Sequence, residues 1–350
     1  MKHIAFPEIG QFRQAIRNVK VKAQRIGTDA NGDAIYDSLK PLPKLKYKGT
    51  VKCHGSNGGV NYNLNTNEYA IQSREQIITV EKDNFGFARF MSTVDMKALF
   101  ALVPRPEEGK LGLPTPEEQT DEQQSIVIYG EWCGGSIQKT VALAKLEKMF
   151  VVFAVLYRGV WLSEEAVKQI KLPEQRIFNI NDFTSYEIEV DFQNPDLVQN
   201  NLGEITIGVE NECPVAKALG SIGTGEGVVW KGIDPEYSGP EFWFKVKGAK
   251  HSASNVKELA NVDVEKVKSV NELMDKVVTE NRMSQGVQVL KSKMNIADLT
   301  RAHTGDLIRW VFDDVIKEES DTIAASSLQQ KELGGAVAKR VKEWFFKNVV

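Results

Sequence analysis

The strongest constraint on the fold is a change of pattern near residue 250. Between about residues 45 and 250, short runs rich in Val, Ile, Phe, Tyr and Trp alternate with turn residues, as in SIVIYGEW, MFVVFAVLY and EGVVWKG. Runs of this composition and spacing are typical of antiparallel β-sheets. The segment FGFARFMSTVDMKALFALV has the pattern of a helix instead. The sequence up to residue 250 therefore predicts antiparallel sheets interrupted by helices.

After Lys250 the strand pattern gives way to helical spacing. In the last segment the apolar residues Leu333, Val337, Val341, Trp344 and Phe345 recur at helical intervals, with Lys339, Arg340 and Lys342 between them. We therefore expect an α+β chain with two domains, a sheet domain at 1–250 and a helical domain at 251–350. Residues 104–124 contain four prolines and six carboxylates, which predicts an exposed insertion in the first domain.

Composition limits the classes of function. With 42% hydrophobic and 26% charged residues, the chain has the balance of a soluble globular protein, and its net charge of −3 does not indicate a nucleic-acid binder. Charge is nevertheless uneven, because residues 1–52 hold eleven Lys/Arg and four Asp/Glu. This basic region is either a phosphate-binding arm or a solvated face.

The cysteines and the apolar runs of the sequence indicate in which cellular compartment the protein is expected. Cys53, Cys133 and Cys213 are far apart and form no CxxC pair, and the four histidines are dispersed, which argues against structural zinc. Isolated thiols suit a reducing compartment. We find no apolar run that predicts a signal peptide or a membrane span. An intracellular, cytoplasmic protein without a membrane partner is expected.

One lysine stands in an unusual place. In KGTVKCHGSNGG, Lys52 ends a strand-like run and is followed by a histidine and several glycines. It is either a basic residue beside a hairpin turn or a positioned amine. The P-loop, HExxH and GxSxG patterns are absent from the sequence, so the templates for those enzymes do not apply.

Other charged residues stand at the ends of apolar strands. Glu131 follows IVIYG, Glu226 precedes GVVWKG, Arg74 closes YAIQS, and Lys245 and Lys247 alternate within FWFKVK, where they share one face. Each is individually typical of a strand-end surface charge. Together, two carboxylates could hold a divalent metal or a ribose, and two lysines could hold a phosphate. Lys52 would then be available to react as a neutral amine at an α-phosphate, releasing pyrophosphate.

The order of these motifs resembles the covalent nucleotidyltransferases, which are polynucleotide ligases and capping enzymes. KCHG (52–55) resembles the KxxG nucleophile motif, GEWCGGSIQ (130–138) the second glutamate block, and FVVFAVLY (150–157) the strand with an adenine-stacking aromatic. EGVVWK (226–231) matches EGxxxK, and FKVK (244–247) matches the final KxK. The resemblance spans about two hundred residues.

Three features are similar to the RNA ligase 2 family in particular. His54 stands where DNA ligases and capping enzymes usually have Asp, and Ser-Asn follows the glycine. The block GEWCGGSIQ ends in Ile-Gln, as in that family. The predicted tail is helical, whereas DNA ligases and capping enzymes continue into a β-rich domain. The resemblance thus implies an adenylation domain followed by a helical C-terminal domain.

The resemblance also implies a role for each matched residue. Lys52 would become lysyl-AMP, His54 would serve the later RNA-joining steps, and Lys245 and Lys247 would grip the α-phosphate. Glu131 would bind the ribose, Phe153 (or Phe150) would stack on adenine, Arg74 would match a family arginine, and Glu226 would help to place the metal. Val51 departs from the pattern, since close relatives often have Glu there. Trp132 and Trp230, beside the glutamates, are expected to be packing residues.

The implied activity is ATP-dependent RNA ligation with Mg²⁺ or Mn²⁺. RNA with a nick or paired ends is the expected partner, no oligomer is required, and a phage-encoded protein acting in the host cytoplasm fits the same resemblance. The alternatives are a DNA ligase, a GTP-using capping enzyme, or a non-catalytic RNA-binding relative. His54 and the helical tail argue against the first two, and the unreplaced lysines and glutamates argue against the third.

Overall fold

The structure is a computed structural model that describes residues 1–350 except 84, 108–113, 116–117, 136, 253–269, 327, 329 and 350. The strands are β1 (Gly10–Gln11), β2 (Arg25–Thr28), β3 (Ala34–Tyr36), β4 (Lys44–Lys52), β5 (Ser56–Asn63), β6 (Tyr69–Ser73), β7 (Ile77–Ile78), β8 (Ser125–Cys133), β9 (Met149–Tyr157), β10 (Val160–Trp161), β11 (Ile177–Asn179), β12 (Ser185–Asp191), β13 (Gly227–Gly232) and β14 (Phe244–Lys247). The α-helices are α1 (Phe12–Gln24), α2 (Phe87–Met91), α3 (Met96–Ala101), α4 (Glu164–Val167), α5 (Gln199–Asn211), α6 (Pro214–Ala218), α7 (Val270–Val277), α8 (Glu280–Met294), α9 (Thr304–Glu318), α10 (Ser320–Ala325) and α11 (Gln330–Asn348).

The chain divides into two compact units. The first unit contains Met1–Glu8, Thr50–Ser185 and Gly208–Glu226. The second contains Ile9–Gly49, Tyr186–Ile207 and Gly227–Val350. The predicted division at residue 250 stays a prediction.

The first unit is built on a seven-stranded sheet in the order β10-β9-β8-β5-β6-β7, with β11 also paired to β9. The β5–β6, β5–β8 and β8–β9 pairs are antiparallel, whereas β11 runs parallel to β9. Strands β8 and β9 are buried along almost their whole length, which suits their Val, Ile and aromatic side chains. One face of the sheet packs against α2 and α3 around Phe87, Met91, Leu99, Ile128 and Phe150.

The other face of this sheet is covered by the N-terminal segment. Ile4 and Phe6 pack there with Val127, Tyr129, Ala154 and Leu156. The Tyr129 hydroxyl donates to the Ile4 carbonyl at 2.8 Å, and the Gln72 side-chain amide also donates to that carbonyl. Because these bonds satisfy buried polar groups, they fix the N-terminal segment on the sheet.

Strand β9 carries one extra residue relative to β8. Tyr129 pairs with Ala154 and Gly130 pairs with Val152, so Phe153 has no partner in the register. This β-bulge places both Phe153 and Ala154 on the face that holds the N-terminal segment.

The segment predicted to be a helix near residue 90 forms two short helices, α2 and α3. The Ser92 and Thr93 hydroxyls donate to the carbonyls of Arg89 and Phe90, which closes α2. Asp95 then caps α3, since its carboxylate accepts from the Ala98 amide. Local hydrogen bonds therefore divide a segment whose apolar spacing alone predicts continuity.

The second unit contains a five-stranded sheet in the order β1-β14-β13-β4-β12. Strand β14 is antiparallel to β13 and parallel to β1. Helix α1 has buried residues at helical spacing, including Phe12, Ile16 and Val19, and the ring of Phe12 lies 4.8 Å from that of Phe244.

Helices α7–α11 of the second unit enclose a separate apolar core. Leu333, Val337, Val341 and Phe345 of α11 are fully buried in it, while Trp344 is partly buried. The core also contains Leu273, Val287, Leu307, Val311 and Val315. The spacing predicted for the last helix is confirmed.

A buried ion-pair network joins α1 to the helices of the tail. Glu319 is fully buried and pairs with Arg13 at 3.0 Å and with Arg282 at 3.4 Å. Arg282, also fully buried, pairs with Asp314 at 2.8 Å and donates to the Val277 carbonyl. The guanidinium of Arg282 is thus bonded on several sides, as a buried charge requires.

The predicted α+β fold is confirmed, with sheets dominated by antiparallel pairs and a helical C-terminal region. The predicted insertion at 104–124 lies in part outside the described residues. Among the helices that are described, none has the length and apolar character needed to cross a membrane.

Candidate nucleotidyl-transfer site

Lys52 is the last residue of β4, and only Cys53, His54 and Gly55 separate it from β5. Its ammonium Nζ donates to Oε2 of Glu226 at 2.8 Å. The Lys52 side chain is 23% exposed and that of Glu226 is 1% exposed, so the lysine remains accessible while its partner is buried. Of the two interpretations of Lys52, a surface lysine beside a turn and a positioned amine, this geometry favours the second.

The same carboxylate oxygen is shared with His54. Nδ1 of His54 lies 3.0 Å from Oε2 of Glu226, and the His54 side chain is 16% exposed. Glu226 directly precedes β13. A carboxylate that faces a lysine and a histidine together can accept a proton from one and orient the other.

Glu131 approaches the same turn from β8. The register pairs Asn57 of β5 with Glu131, and Oε1 of Glu131 accepts from the Gly55 amide at 2.8 Å. Burial raises the pKa of the Glu131 carboxyl, and the nearby Glu226 carboxylate adds to the rise, while Lys52 and His54 oppose it. Four of the predicted residues, Lys52, His54, Glu131 and Glu226, therefore interact in the first unit.

Only a glycine fits at position 55 of this turn, because there is no room for a side chain. A Cβ at position 55 would meet the carbonyl oxygen of Trp132 and lie 2.8 Å from Cβ of Cys133. The Gln138 side chain also donates to the Gly55 carbonyl at 3.4 Å. The close approach of β8 explains in physical terms why a glycine follows the lysine by three positions.

The three cysteines lie close to one another near this turn, which their spacing in the sequence does not predict. All three are buried and free. The pKa of Cys53 is raised well above its ordinary value by a hydrogen bond with Cys133 and by burial. Burial raises the pKa of Cys213 to about 11, and the nearby Cys53 contributes to the rise. The only available signal is that Cys53 adjoins Lys52 and Cys133 lies two residues after Glu131.

The two candidate adenine-stacking residues lie on opposite faces of the sheet. The ring of Phe153 is 5.0 Å from that of Phe6 in an edge-on contact, on the face with the N-terminal segment. Phe150 is fully buried in the core beside Phe87. Of the two, only Phe153 is partly exposed. The contact with Phe6 was not predicted.

The remaining candidates of the first unit have simpler surroundings. Trp132 is buried in the core and donates to the Phe85 carbonyl at 3.0 Å, as expected of a packing residue. Arg74 is exposed, and its guanidinium lies 3.8 Å from the Glu75 carboxylate. The Arg74–Glu75 ion pair thus contains none of the four interacting residues Lys52, His54, Glu131 and Glu226.

Lys245 and Lys247 belong to β14 in the second unit. They are partly exposed, whereas Phe244 and Val246 between them are buried, which fits the expected alternation. Lys245 pairs with Glu318 of α9 at 3.1 Å, and the Gln11 side chain donates to the other oxygen of Glu318 at 3.0 Å. Sequence reasoning missed Glu318, because no pattern connects it with a strand 73 residues earlier.

The carboxylates of the site fit a divalent metal in chemical type. Mg²⁺ is usually held by one or two carboxylates together with substrate phosphates, and Glu226 and Glu131 supply such oxygens. Within the described residues, no three His, Cys, Asp or Glu side chains form a metal-binding group.

These features define a strand-end lysine held by a buried glutamate, with a second glutamate supporting the turn. The profile of the family described as RNA ligase matches residues 46–247, more than half of the chain and all of the predicted site residues. The chain therefore belongs to the RNA ligase family.

Solved structures similar to this chain include Naegleria gruberi RNA ligase with PPi, at 14% identity and a TM-score of 0.42. That match covers 71% of this chain and 56% of the Naegleria chain. A mutant of the same enzyme with ATP and Mn matches at 14% identity and a TM-score of 0.43, covering 71% and 57%. This chain thus spans little more than half of the length of those proteins. No curated protein matches the sequence.

Proposed function

We propose that this protein is an ATP-dependent RNA ligase in which Lys52 is the nucleophile. The observation that carries the proposal is the 2.8 Å contact between Lys52 Nζ and Glu226 Oε2, in the region that matches the RNA ligase family. His54 and Glu131 meet the same turn, so three further groups surround one partly accessible amine.

In the first step, Lys52 attacks the α-phosphorus of ATP. A lysine amine is nucleophilic only when neutral, so its proton must leave before or during attack. Glu226 lies within proton-transfer distance of that amine. The new P–N bond gives lysyl-AMP, and the bond to the bridging oxygen breaks, so that pyrophosphate leaves.

The nucleotide is oriented by residues from several strands. We assign Glu131 to the ribose, Phe153 to the adenine ring, and Lys245 and Lys247 to the α-phosphate; Arg74 is a looser assignment. Phe153 is the better candidate for stacking than Phe150, since Phe150 is fully buried in the core. Glu226 is assigned to a Mg²⁺ or Mn²⁺ ion, which would offset charge on the leaving pyrophosphate.

The next two steps transfer AMP to RNA and seal the ends. The RNA 5′-phosphate displaces Lys52 from AMP, and an adjacent 3′-hydroxyl then attacks the activated phosphate while AMP leaves. We assign His54 to these later steps. A nicked duplex is the proposed substrate, recognised through backbone and 2′-hydroxyl contacts. The reaction would take place in the cytoplasm, where ATP and RNA occur and where the three free thiols stay reduced.

The first test is covalent labelling with ATP that carries a radioactive α-phosphate. The parent should form a covalent adenylate that withstands denaturation and alkali but is released by acid, as a P–N bond requires, whereas Lys52→Ala should form none. Lys46→Ala is the matched control, because Lys46 is an exposed lysine on the same strand. If Lys52→Ala were labelled as strongly as the parent, the assignment of the nucleophile would be wrong.

A second experiment separates the alternative functions. Labelling with GTP in place of ATP would indicate a capping-type enzyme. Nicked duplexes that differ only in the sugar bearing the 3′-hydroxyl would then separate an RNA ligase, which should require ribose, from a DNA ligase. A parent that binds RNA but is never labelled would be a non-catalytic relative.

A further inference from the structure

Helix α11 is basic within a region that is otherwise nearly neutral. Its nineteen residues include five Lys/Arg and two Glu, whereas α9 has two Lys/Arg and four Asp/Glu. Among the described helices of this region α11 has the largest net positive charge, and α8, with three Lys/Arg and one Glu, comes next. That helix buries one face in the apolar core and leaves its other side exposed.

An exposed aromatic ring on α11 is flanked by two cations. Phe346 is 39% exposed. The guanidinium carbon of Arg301 lies 5.6 Å from the centre of its ring, and the ammonium of Lys342 lies 5.8 Å from the same centre. Both distances are within the range of cation–π attraction.

Within the described residues, neither of these cations forms an ion pair with a carboxylate. This distinguishes them from Arg340 on the same helix, which pairs with Asp275 at 2.6 Å. Lys339 precedes Lys342 by one turn and is exposed as well. We call Arg301, Lys339, Lys342 and Phe346 the α11 basic surface.

We propose that the α11 basic surface binds the phosphate backbone of RNA, an inference that rests on the proposed function for its choice of polyanion. Phe346 holds two long, flexible cationic side chains in place, so less conformational entropy is lost when each binds a phosphate. Contacts of this type are independent of base sequence and give affinity that falls with salt.

The surface fits a strand of phosphates better than an acidic protein. The neighbouring Phe345 is buried and Trp344 is partly buried, so Phe346 is the exposed aromatic ring of this segment, and none of the other exposed large apolar side chains in the part of the chain that the structure describes lies on α11. A protein interface typically has a continuous apolar centre with a polar rim. Two cations beside one ring, with a third exposed lysine one turn away on the helix, instead complement a series of evenly spaced anions.

The test is RNA binding by fluorescence anisotropy, with a labelled nicked RNA duplex and without ATP. The double variant R301A/K342A should bind about tenfold more weakly at low salt, and its plot of log affinity against log salt should be shallower by about 2, one unit for each lost phosphate contact. The matched control K331A removes an exposed lysine from the same helix, away from the ring, and should stay within about twofold of the parent.

A second variant keeps the proposal testable if the double variant is poorly folded. Phe346→Leu retains an apolar side chain but removes the ring, and it should weaken binding by about threefold with both cations still present. Equal losses in K331A, an unchanged salt dependence in the double variant, or equally tight binding of polyglutamate would each overturn the proposal. Because the assay needs no adenylation, a parent that is never labelled with ATP yet loses RNA affinity in R301A/K342A would disprove the ligase and keep this surface.

Discussion

Lys52 and Glu226 are separated by 174 positions in the sequence and joined by a 2.8 Å hydrogen bond. The carboxylate oxygen that accepts this bond also faces His54 at 3.0 Å. One buried oxygen therefore positions two groups to which the family resemblance gives different steps of the reaction. Changes at Glu226 should affect both.

Glu226→Gln should lower the rate of lysyl-AMP formation by about 100-fold, because it removes both the proposed proton acceptor and the charge that pairs with Lys52. The rate of labelling with radioactive ATP measures this directly. Glu212→Gln is the control, since Glu212 also pairs with a lysine, Lys217, but does so on the surface. A Glu226→Gln variant as fast as the Glu212→Gln variant would contradict the role.

Glu131→Gln should make the protein more stable at pH 8. Burial raises the pKa of this carboxyl in the folded state, so folding favours the protonated form and the ionised form is destabilising. The neutral amide removes that penalty and can still accept from the Gly55 amide.

The gain in stability should grow as the pH rises from about 4.5 through the raised pKa, and it should vanish below the ordinary value, where the carboxyl is protonated in both states. Thermal unfolding midpoints of both proteins at several pH values test the sign. A variant that is more stable only in acid would refute the argument. If Glu131 binds the ribose, the same variant should also label more slowly with ATP.

Gly55→Ala should lower adenylation at least tenfold and reduce stability by roughly 1–3 kcal/mol, since the new methyl group overlaps the backbone of Trp132. Labelling rate and urea unfolding report the two effects. Gly208→Ala is the control in the same unit, because a Cβ there meets nothing within 4 Å. That substitution lies in a helix and should be neutral or slightly stabilising.

Glu319→Ala should cost about 3–5 kcal/mol of unfolding free energy, because it leaves Arg13 and Arg282 buried without their shared carboxylate. Asp275→Ala breaks an ion pair whose carboxylate is 68% exposed and should cost less than about 1 kcal/mol. Urea unfolding of both variants tests the contrast. Equal effects would mean that the buried network adds nothing beyond a surface pair.

Local pattern was sufficient for most strands and for the last helix. Strand β9 coincides with the run MFVVFAVLY, and Leu333, Val337, Val341 and Phe345 are buried as their spacing predicts. Each of these elements buries a continuous apolar surface, so whether a residue is apolar predicts whether it is buried. The split between α2 and α3 was missed because hydroxyl and carboxylate caps outweigh apolar spacing.

The order of the motifs along the chain grouped Lys52, His54, Glu131 and Glu226, which interact in the structure, but it did not predict which atoms meet. The shared oxygen of Glu226, the bond from Gly55 to Glu131 and the pairing of Lys245 with Glu318 each depend on how distant segments meet. In the sequence, the only trace of such a contact is the type of the two residues that form it. Because charged residues are common, residue type alone does not identify which two of them form a pair.

The single extra residue in β9 determines which way an aromatic side chain is presented. Before the bulge Val152 packs in the main core, and after it Val155 does so. Core-facing positions are therefore even-numbered before the bulge and odd-numbered after it. Deleting any one residue near position 153 would restore strict alternation and reverse one half of the strand, either forcing Phe153 inward or turning core valines towards the N-terminal segment. The length of β9 is therefore a condition for presenting Phe153 on the face that holds the N-terminal segment.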